Sequence, residues 1–563
     1  MSGNLPSPGD VVSAPRLPER RTAAQQARGL GTRLRAYWLT APGKVTALAT
    51  LLALAIRLFT LTRPGYLTGV TEYDDGVYLG ATVRMIEGYM PYKDFALVQP
   101  PGILLLMTPV ALIAKVTTTV KGLALARVLT ALASTACVPL VGNLVRYRGT
   151  VVTLVACGLL AVYPGDISSA HTLLLEPWMN LFCLLAINAA FRRGSLARPR
   201  RLAWAGLALG FAGSIKFWAI APAAVLFALC LLTADGRAAR LRAYLPTLAA
   251  GFIVPVAPFL LAAPVTFLRS TITDQAVRDG GASASIGVRL ANITGLIDIL
   301  NTRGQLSLNA GAHSMFATDA SNLSESSTAG WLAVMLTAAL VAVIAICYAL
   351  QSRRLSQLEW LSLITTVLAA AAILYYSAFF YHYPDFPAPW LALTLGGAAG
   401  ILAGHPAWRL AIIRGVAVVI VLIAALQIRE MFPVRESTAE VMAHRIPAGS
   451  CVVTDQVALT IAADRFTDLP PGCPVIVDSL ASTLVLSNGV SVYAGADHMA
   501  QVVATWKSWF SKADYVWLSP SHQSQKRIPW TPALSEWFNA NFVKDGPYSA
   551  GVGQLYKRVT PAS

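Results

Sequence analysis

The chain has 563 residues, of which 55% are hydrophobic and only 13% charged. A soluble protein would carry about a quarter charged residues, so a water-soluble globular fold is excluded and a polytopic membrane protein is expected. The net charge of +16 does not point to nucleic acid, because the basic residues gather at the ends of apolar runs, as they do in cytoplasmic loops.

Residues 1–40 are rich in Pro, Arg and Ala and read as a disordered basic cytoplasmic tail. They lack the short apolar core and cleavage site of a signal peptide. The first apolar run, Val45–Leu61, is therefore expected to be an uncleaved span with its N-terminus inside. Further apolar runs follow near 99–116, 122–143, 150–164, 173–190, 202–215, 217–233, 244–263, 330–350, 360–380, 387–403 and 409–428. The clusters Arg146–Arg148, Arg192–Arg201, Arg237–Arg242 and Arg353–Arg354 belong inside. This count requires one of the runs 99–116 and 122–143 not to cross. The run 99–116 begins Pro100-Pro101 and is interrupted by Pro109, so it is predicted to be re-entrant or to lie along the interface.

The expected fold is a polytopic α-helical membrane protein of about eleven spans over residues 41–430, followed by an extracytoplasmic α/β domain over 431–563. Three regions then face outward: the loop 64–98, the polar segment Val265–Gly330, and the chain after Arg429. In the last of these, Cys451–Thr454, Val475–Val477 and Tyr515–Leu518 read as strands, and Ser437–His444, Met499–Phe510 and Thr531–Phe538 as helices. Cys451 and Cys473 form a disulfide there or remain two separate thiols; both readings stay open.

The same face gathers charge. Asp74 and Asp75 stand just beyond the first span, and carboxylates beside a bilayer are costly enough to be functional candidates. Glu176, His171 and Asp166 fall in a later outer turn, Lys216 in another, Arg127 near the outer end of its run, and His382, Tyr383 and Asp385 in YHYPDFP. Lys93 lies in the first outer loop. Acids with cations at one face suit glycosyl transfer from a lipid-linked phosphate sugar. A carboxylate can take the acceptor hydroxyl's proton, and Lys and Arg can stabilise the departing phosphate. Simpler roles compete. Lys216 and Arg127 can snorkel, Glu176 can complement a helix dipole, His382 and Tyr383 can anchor at the interface, and Asp166 and Asp385 can start turns.

These residues resemble the GT-C glycosyltransferases, especially the protein O-mannosyltransferase and lipid A aminoarabinose transferase clan. The resemblance rests on Asp74-Asp75-Gly-Val-Tyr78, on Gln99-Pro100-Pro101-Gly102, on Arg127 in ALARVLTALAS, on Ala170-His171-Thr-Leu-Leu-Leu-Glu176 and on Gly213-Ser214-Ile215-Lys216-Phe217. His171 stands where that family has arginine, and Glu176 where it has aspartate. The resemblance implies an inverting transferase of the bacterial plasma membrane, moving a sugar from a polyprenyl-phosphate donor to a lipid, glycan or protein acceptor of the envelope. It implies Asp74 or Asp75 as general base, with Glu176 as a second acid. Lys216, Arg127 and Lys93 would bind donor phosphate, and Tyr78, His171, His382 and Tyr383 would bind substrate. No cofactor is required, because side-chain cations can replace a metal; some members use a divalent ion, so that question stays open. The alternative function is a lipid or sugar transporter or flippase, against which stand the one-sided charge and the lack of a visible repeat.

Overall fold

The computed structural model describes residues 40–277, 286–295, 328–352, 355–375, 379–430, 439–490, 495–520, 527–549 and 551–559. The N-terminal tail, Arg353–Arg354 and most of Val265–Gly330 lie outside the described residues.

Every predicted apolar run is helical. In chain order the helices are α1 (Ala41–Thr62), α2 (Asp74–Ile86), α3 (Gly102–Val116), α4 (Thr119–Val145), α5 (Thr150–Val162), α6 (Pro164–Ala170), α7 (Leu175–Ala190), α8 (Pro199–Ile215), α9 (Ile220–Leu232) and α10 (Arg237–Ala262). After the polar segment come α11 (Thr328–Gln351), α12 (Gln357–Tyr375), α13 (Ala388–Leu402) and α14 (Pro406–Glu430). Five described helices have the length and hydropathy of a full crossing, or six if α5 and α6, bent by 48°, count as one broken span. Helix length thus accounts for only part of the eleven crossings expected from charge, since α7, α9 and α13 have 13–16 residues.

Helix α3 is packed at both of its ends. A Cβ at Gly102 would run into Ser214, near the end of α8. At the other end, Thr119 donates through its amide to Asp464 (2.8 Å) and through its hydroxyl to the Ile461 carbonyl (2.7 Å). The α3 backbone is helical through Pro109.

Charge is buried inside the bundle in matched sets. Arg57 of α1 pairs with Asp166 of α6, and Ser134 of α4 donates to the same carboxylate at 2.6 Å. Arg57 is 1% exposed, a position tolerable in an apolar setting only because each charge has its partner. Asp166 therefore sits in the first turn of a helix and pins it to its neighbours, which is more than the turn-starting role read from sequence.

Beyond α14 the chain builds a four-stranded mixed sheet in the order β3 (Val452–Thr454), β4 (Tyr515–Leu518), β6 (Gln554–Arg558), β5 (Phe542–Lys544); β1 (Phe191–Arg192) and β2 (Ser195–Leu196) form a small hairpin after α7. Strands β3 and β4 are parallel, and the other pairings are antiparallel. Helices α15 (Val457–Ala462), α16 (Ser479–Leu486), α17 (Ala500–Lys512) and α18 (Pro532–Asn541) accompany it. Trp506, Phe510 and Phe538 fill the core between α17, α18 and the sheet. Val475–Val477 is not a strand. Pro474, just before it, has no amide to donate, and the segment runs straight into Asp478, whose carboxylate caps α16 through the Ala481 amide at 2.9 Å. Cys451 and Cys473 form a disulfide with Cα atoms 5.6 Å apart.

This sheet region is seated on the first loop and α2. Gly76 has no side chain because the backbone of Ala458 in α15 occupies the place a Cβ would take. The Gln456 side chain donates to the Glu72 carbonyl at 3.2 Å, and Tyr73 donates to Asp478 at 2.8 Å. Contacts more than 380 residues apart in sequence thus set one wall of the cleft described next.

Candidate active site

The loop 64–98 folds back at Arg127. That guanidinium is fully buried and donates to the carbonyls of Tyr66 (2.8 Å) and Gly69 (2.9 Å), to the Thr71 hydroxyl (2.8 Å) and to Asp75 (2.5 Å). Thr172 donates to the same Asp75 oxygen at 2.6 Å. The loop is thereby tied to α4 and to the turn before α7. Helix α2 begins at Asp74, so consecutive carboxylates point in different directions. Asp75 is buried with 0% exposure, and Asp74 is half-buried and lines an open cleft.

The cleft takes in about 570 Å³ including its mouth, and is lined on one side by Glu72, Asp74 and Tyr78. Lys216, His382 and Tyr383 line another side, and Asp478 and Leu480 belong to the sheet region. Lys216 stands where α8 ends in extended backbone. Its ammonium pairs with Glu176 at the start of α7, lies 3.8 Å from the centre of the Trp218 ring and 4.6 Å from that of Tyr383. His382 Nε2 is 3.7 Å from the same Glu176 oxygen. One carboxylate thus holds two potential cations at the wall. Cation–π contact keeps the ammonium oriented without neutralising it. The Tyr78 hydroxyl points at Asp74 at 3.5 Å.

Glu72 is a component the sequence reading missed. Its carboxyl is 3% exposed, receives a hydrogen bond from Tyr381 at 2.6 Å and one from the Tyr73 amide at 2.9 Å. It ties the first loop to the turn that carries His382 and Tyr383. Burial, with Asp74 nearby, pushes its pKa up from 4.5 to about 8. A carboxyl whose folded pKa is raised contributes stability that is fully present below its unfolded pKa and is lost as pH rises through the folded one. That window runs from 4.5 to about 8. Melting curves in detergent at about pH 6 and about pH 9 should therefore show a loss of Tm on alkalinisation, smaller in Glu72→Gln. An equal loss in both proteins removes Glu72 as its cause.

Neither a protein-family model nor a curated protein sequence matches this chain. Solved structures do. The archaeal oligosaccharyltransferase AglB from Archaeoglobus fulgidus, in complex with an inhibitory peptide and a dolichol-phosphate, superposes with a TM-score of 0.51 at 12% identity, covering 92% of this chain and 74% of that one. The Archaeoglobus fulgidus oligosaccharyltransferase tethered with an acceptor peptide gives 0.52 at 13% identity, covering 93% of this chain and 75% of that one. The chain shares the fold of these oligosaccharyltransferase structures. ArnT from Cupriavidus metallidurans bound to undecaprenyl phosphate also matches, at 0.47 and 13% identity over 92% of this chain and 98% of that one.

Within this fold the predicted residues separate. Asp74, Tyr78, Lys216, His382 and Tyr383 line the cleft, and Glu176 stands directly behind Lys216 and His382. Four others lie outside the cleft lining. Arg127 is not presented to a ligand, because both of its terminal nitrogens are spent inside the protein on the loop and Asp75. Asp75 is likewise closed off by Arg127 and Thr172. His171 is buried outside the cleft lining, with Nδ1 2.5 Å from the Ser168 carbonyl oxygen and its ring edge-on to Tyr66. Lys93 is exposed in a turn closed by Asp94, which accepts from the Met90 amide at 2.6 Å, and is also absent from the lining.

Glu72, Asp478 and Tyr73 were not anticipated. The TEYDD spelling marks Glu72 as a neighbour of the acidic pair, but no local signal marks Asp478. Among the described residues no group of three or more His, Cys, Asp or Glu side chains is disposed to hold a metal ion. Glu176, the acid nearest the cations, is already engaged by Lys216.

Proposed function

We propose that the chain is an inverting glycosyltransferase that moves a sugar from a polyprenyl-phosphate donor to an envelope acceptor at the outer face of a bacterial plasma membrane. The observation that carries this reading is the division of the Asp74–Asp75 pair. One carboxylate is locked in an internal ion pair, and the other opens on a cleft that an oriented ammonium also lines.

Asp74 takes the proton of the acceptor hydroxyl as that oxygen attacks the anomeric carbon. The bond between that carbon and the phosphate oxygen breaks, the phosphate leaves on the lipid with the bonding pair, and the sugar is inverted. Lys216 stabilises the charge on the departing phosphate. Glu176 keeps Lys216 and His382 in place, and Tyr78 and Tyr383 form walls for the sugar. A disulfide between Cys451 and Cys473 suits a sheet region on the oxidising side of the membrane, with the N-terminus in the cytoplasm.

Lys216→Ala paired with Glu176→Gln removes the ammonium without stranding a buried carboxylate. The double variant should bind undecaprenyl phosphate about tenfold or more weakly than the wild type, read by titration in detergent. Unchanged affinity would assign Lys216 to the fold alone.

A further inference from the structure

A second cleft opens at the far end of α2, in the seam with the sheet region. Arg84 lines it from α2, and Ser450, Thr454, Thr460, Arg465 and Thr467 line it from the other side; no acidic residue is among its lining. Arg84 is 3% exposed and lies 4.0 Å above the Phe466 ring. Its Nη1 reaches Glu87 at 2.5 Å, and its Nε is buried without a hydrogen-bond partner. Such an orphan donor costs free energy unless something accepts from it. Burial also pulls the Arg84 guanidinium below its ordinary pKa, as expected for a charge held from water without full compensation.

Arg465 is held differently. Its guanidinium donates to the carbonyls of Ile446 (2.7 Å), Asp464 (2.9 Å) and Ala443 (3.0 Å). Those bonds orient it without cancelling its charge. The Asp464 carboxylate is spent on Thr119 instead. The rim is stapled as well, since Ser450 precedes Cys451 and Pro474 follows Cys473 of the disulfide. A rigid, polar, cationic cleft with hydroxyls around it has the chemistry of a site for an anionic group on a hydroxylated ligand.

We infer that this seam cleft is an anion-binding subsite that takes a carboxylate or phosphate group of the glycan acceptor. It rests on the transferase reading above for the word acceptor, and on the cleft alone for the binding. Asp74 and Arg84 stand ten residues apart on one helix, roughly 15 Å at the helical rise, with Ala458 and Val457 packed on Gly76 and Gly80 between them, so an acceptor that uses both clefts passes over that seam. Helix α2 would then carry the base at its start and the acceptor's anchor at its end.

The test is direct binding to the full chain in nanodiscs of zwitterionic lipid, with trigalacturonate, inorganic phosphate and neutral maltotriose as probes. Trigalacturonate is expected to bind and maltotriose not to, with affinity lowered at least about tenfold in Arg465→Gln. Thr467→Asp, on the half-buried rim, should abolish binding through charge repulsion and serves if Arg465→Gln melts early. The paired Lys216→Ala and Glu176→Gln variant should bind trigalacturonate as the wild type does. Equal binding of maltotriose, binding of phosphate without trigalacturonate, or an affinity unmoved by Thr467→Asp each overturns the inference. Retained binding together with full transfer by Asp74→Asn would instead sink the transferase base and leave the subsite standing.

Discussion

Asp74→Asn is expected to lower transfer by about 10²- to 10⁴-fold, the usual contribution of a positioned general base, in a protein that folds and inserts normally. Asparagine keeps the size of the side chain and its place at the start of α2, but it cannot take a proton. Asp74 is half-buried and lines the open cleft, so the change is made at the cleft and not in the packed core. The assay is sugar release from the polyprenyl-phosphate donor, together with unaltered binding of the lipid phosphate. Transfer that survives at full rate would remove Asp74 as the base. Asp75→Asn makes the contrast, because its loss should appear first as reduced stability.

The second large effect belongs to Arg127→Ala. Removing one partner from a buried ion pair costs about 3–5 kcal/mol, because the other charge is left in a low-dielectric setting. Here the pair is fully buried on both sides, and three further acceptors, in Tyr66, Gly69 and Thr71, lose their donor too. Thermal unfolding in detergent should therefore fall steeply. The double change Arg127→Met with Asp75→Leu should restore part of the loss and not all, since it removes both charges but leaves the loop carbonyls unpaired. A single variant as stable as the wild type would mean that the loop is held by something else.

These two substitutions show what could be read in the residues and what could not. The apolar runs, their helical state and the importance of the TEYDDG stretch follow from composition and spacing, because a bilayer imposes length and hydropathy on each helix. That the chain after Pro100 forms a short helix was legible from its prolines and its apolar run. The division of labour within the acidic pair was not. An argument from charge at a membrane face treats Asp75, Arg127, Asp74 and Lys216 alike; only packing shows that the first two pair with each other and the last two face a cleft. His171 matched a motif position, yet its ring is spent on Ser168 and Tyr66. Asp478 was invisible for a different reason. It meets Tyr73 across 405 residues, and no periodicity or spacing reports a contact at that separation. Glu72 lay in plain view beside the aspartates, but its role depends on Tyr381, 309 residues later.

The seat of Ala458 on Gly76 bears on how the molecule is made. The first loop leaves the ribosome early, and the part of its cleft wall that the sheet region supplies, Asp478 and Leu480, is synthesised only after the last long apolar helix. Until then α2 lacks a neighbour on its Gly76 face, and the Tyr73 hydroxyl lacks Asp478. The cleft is therefore a late product of synthesis. A chain arrested before residue 455 would carry Asp74 and Lys216 in its membrane and still have no closed site in which to use them.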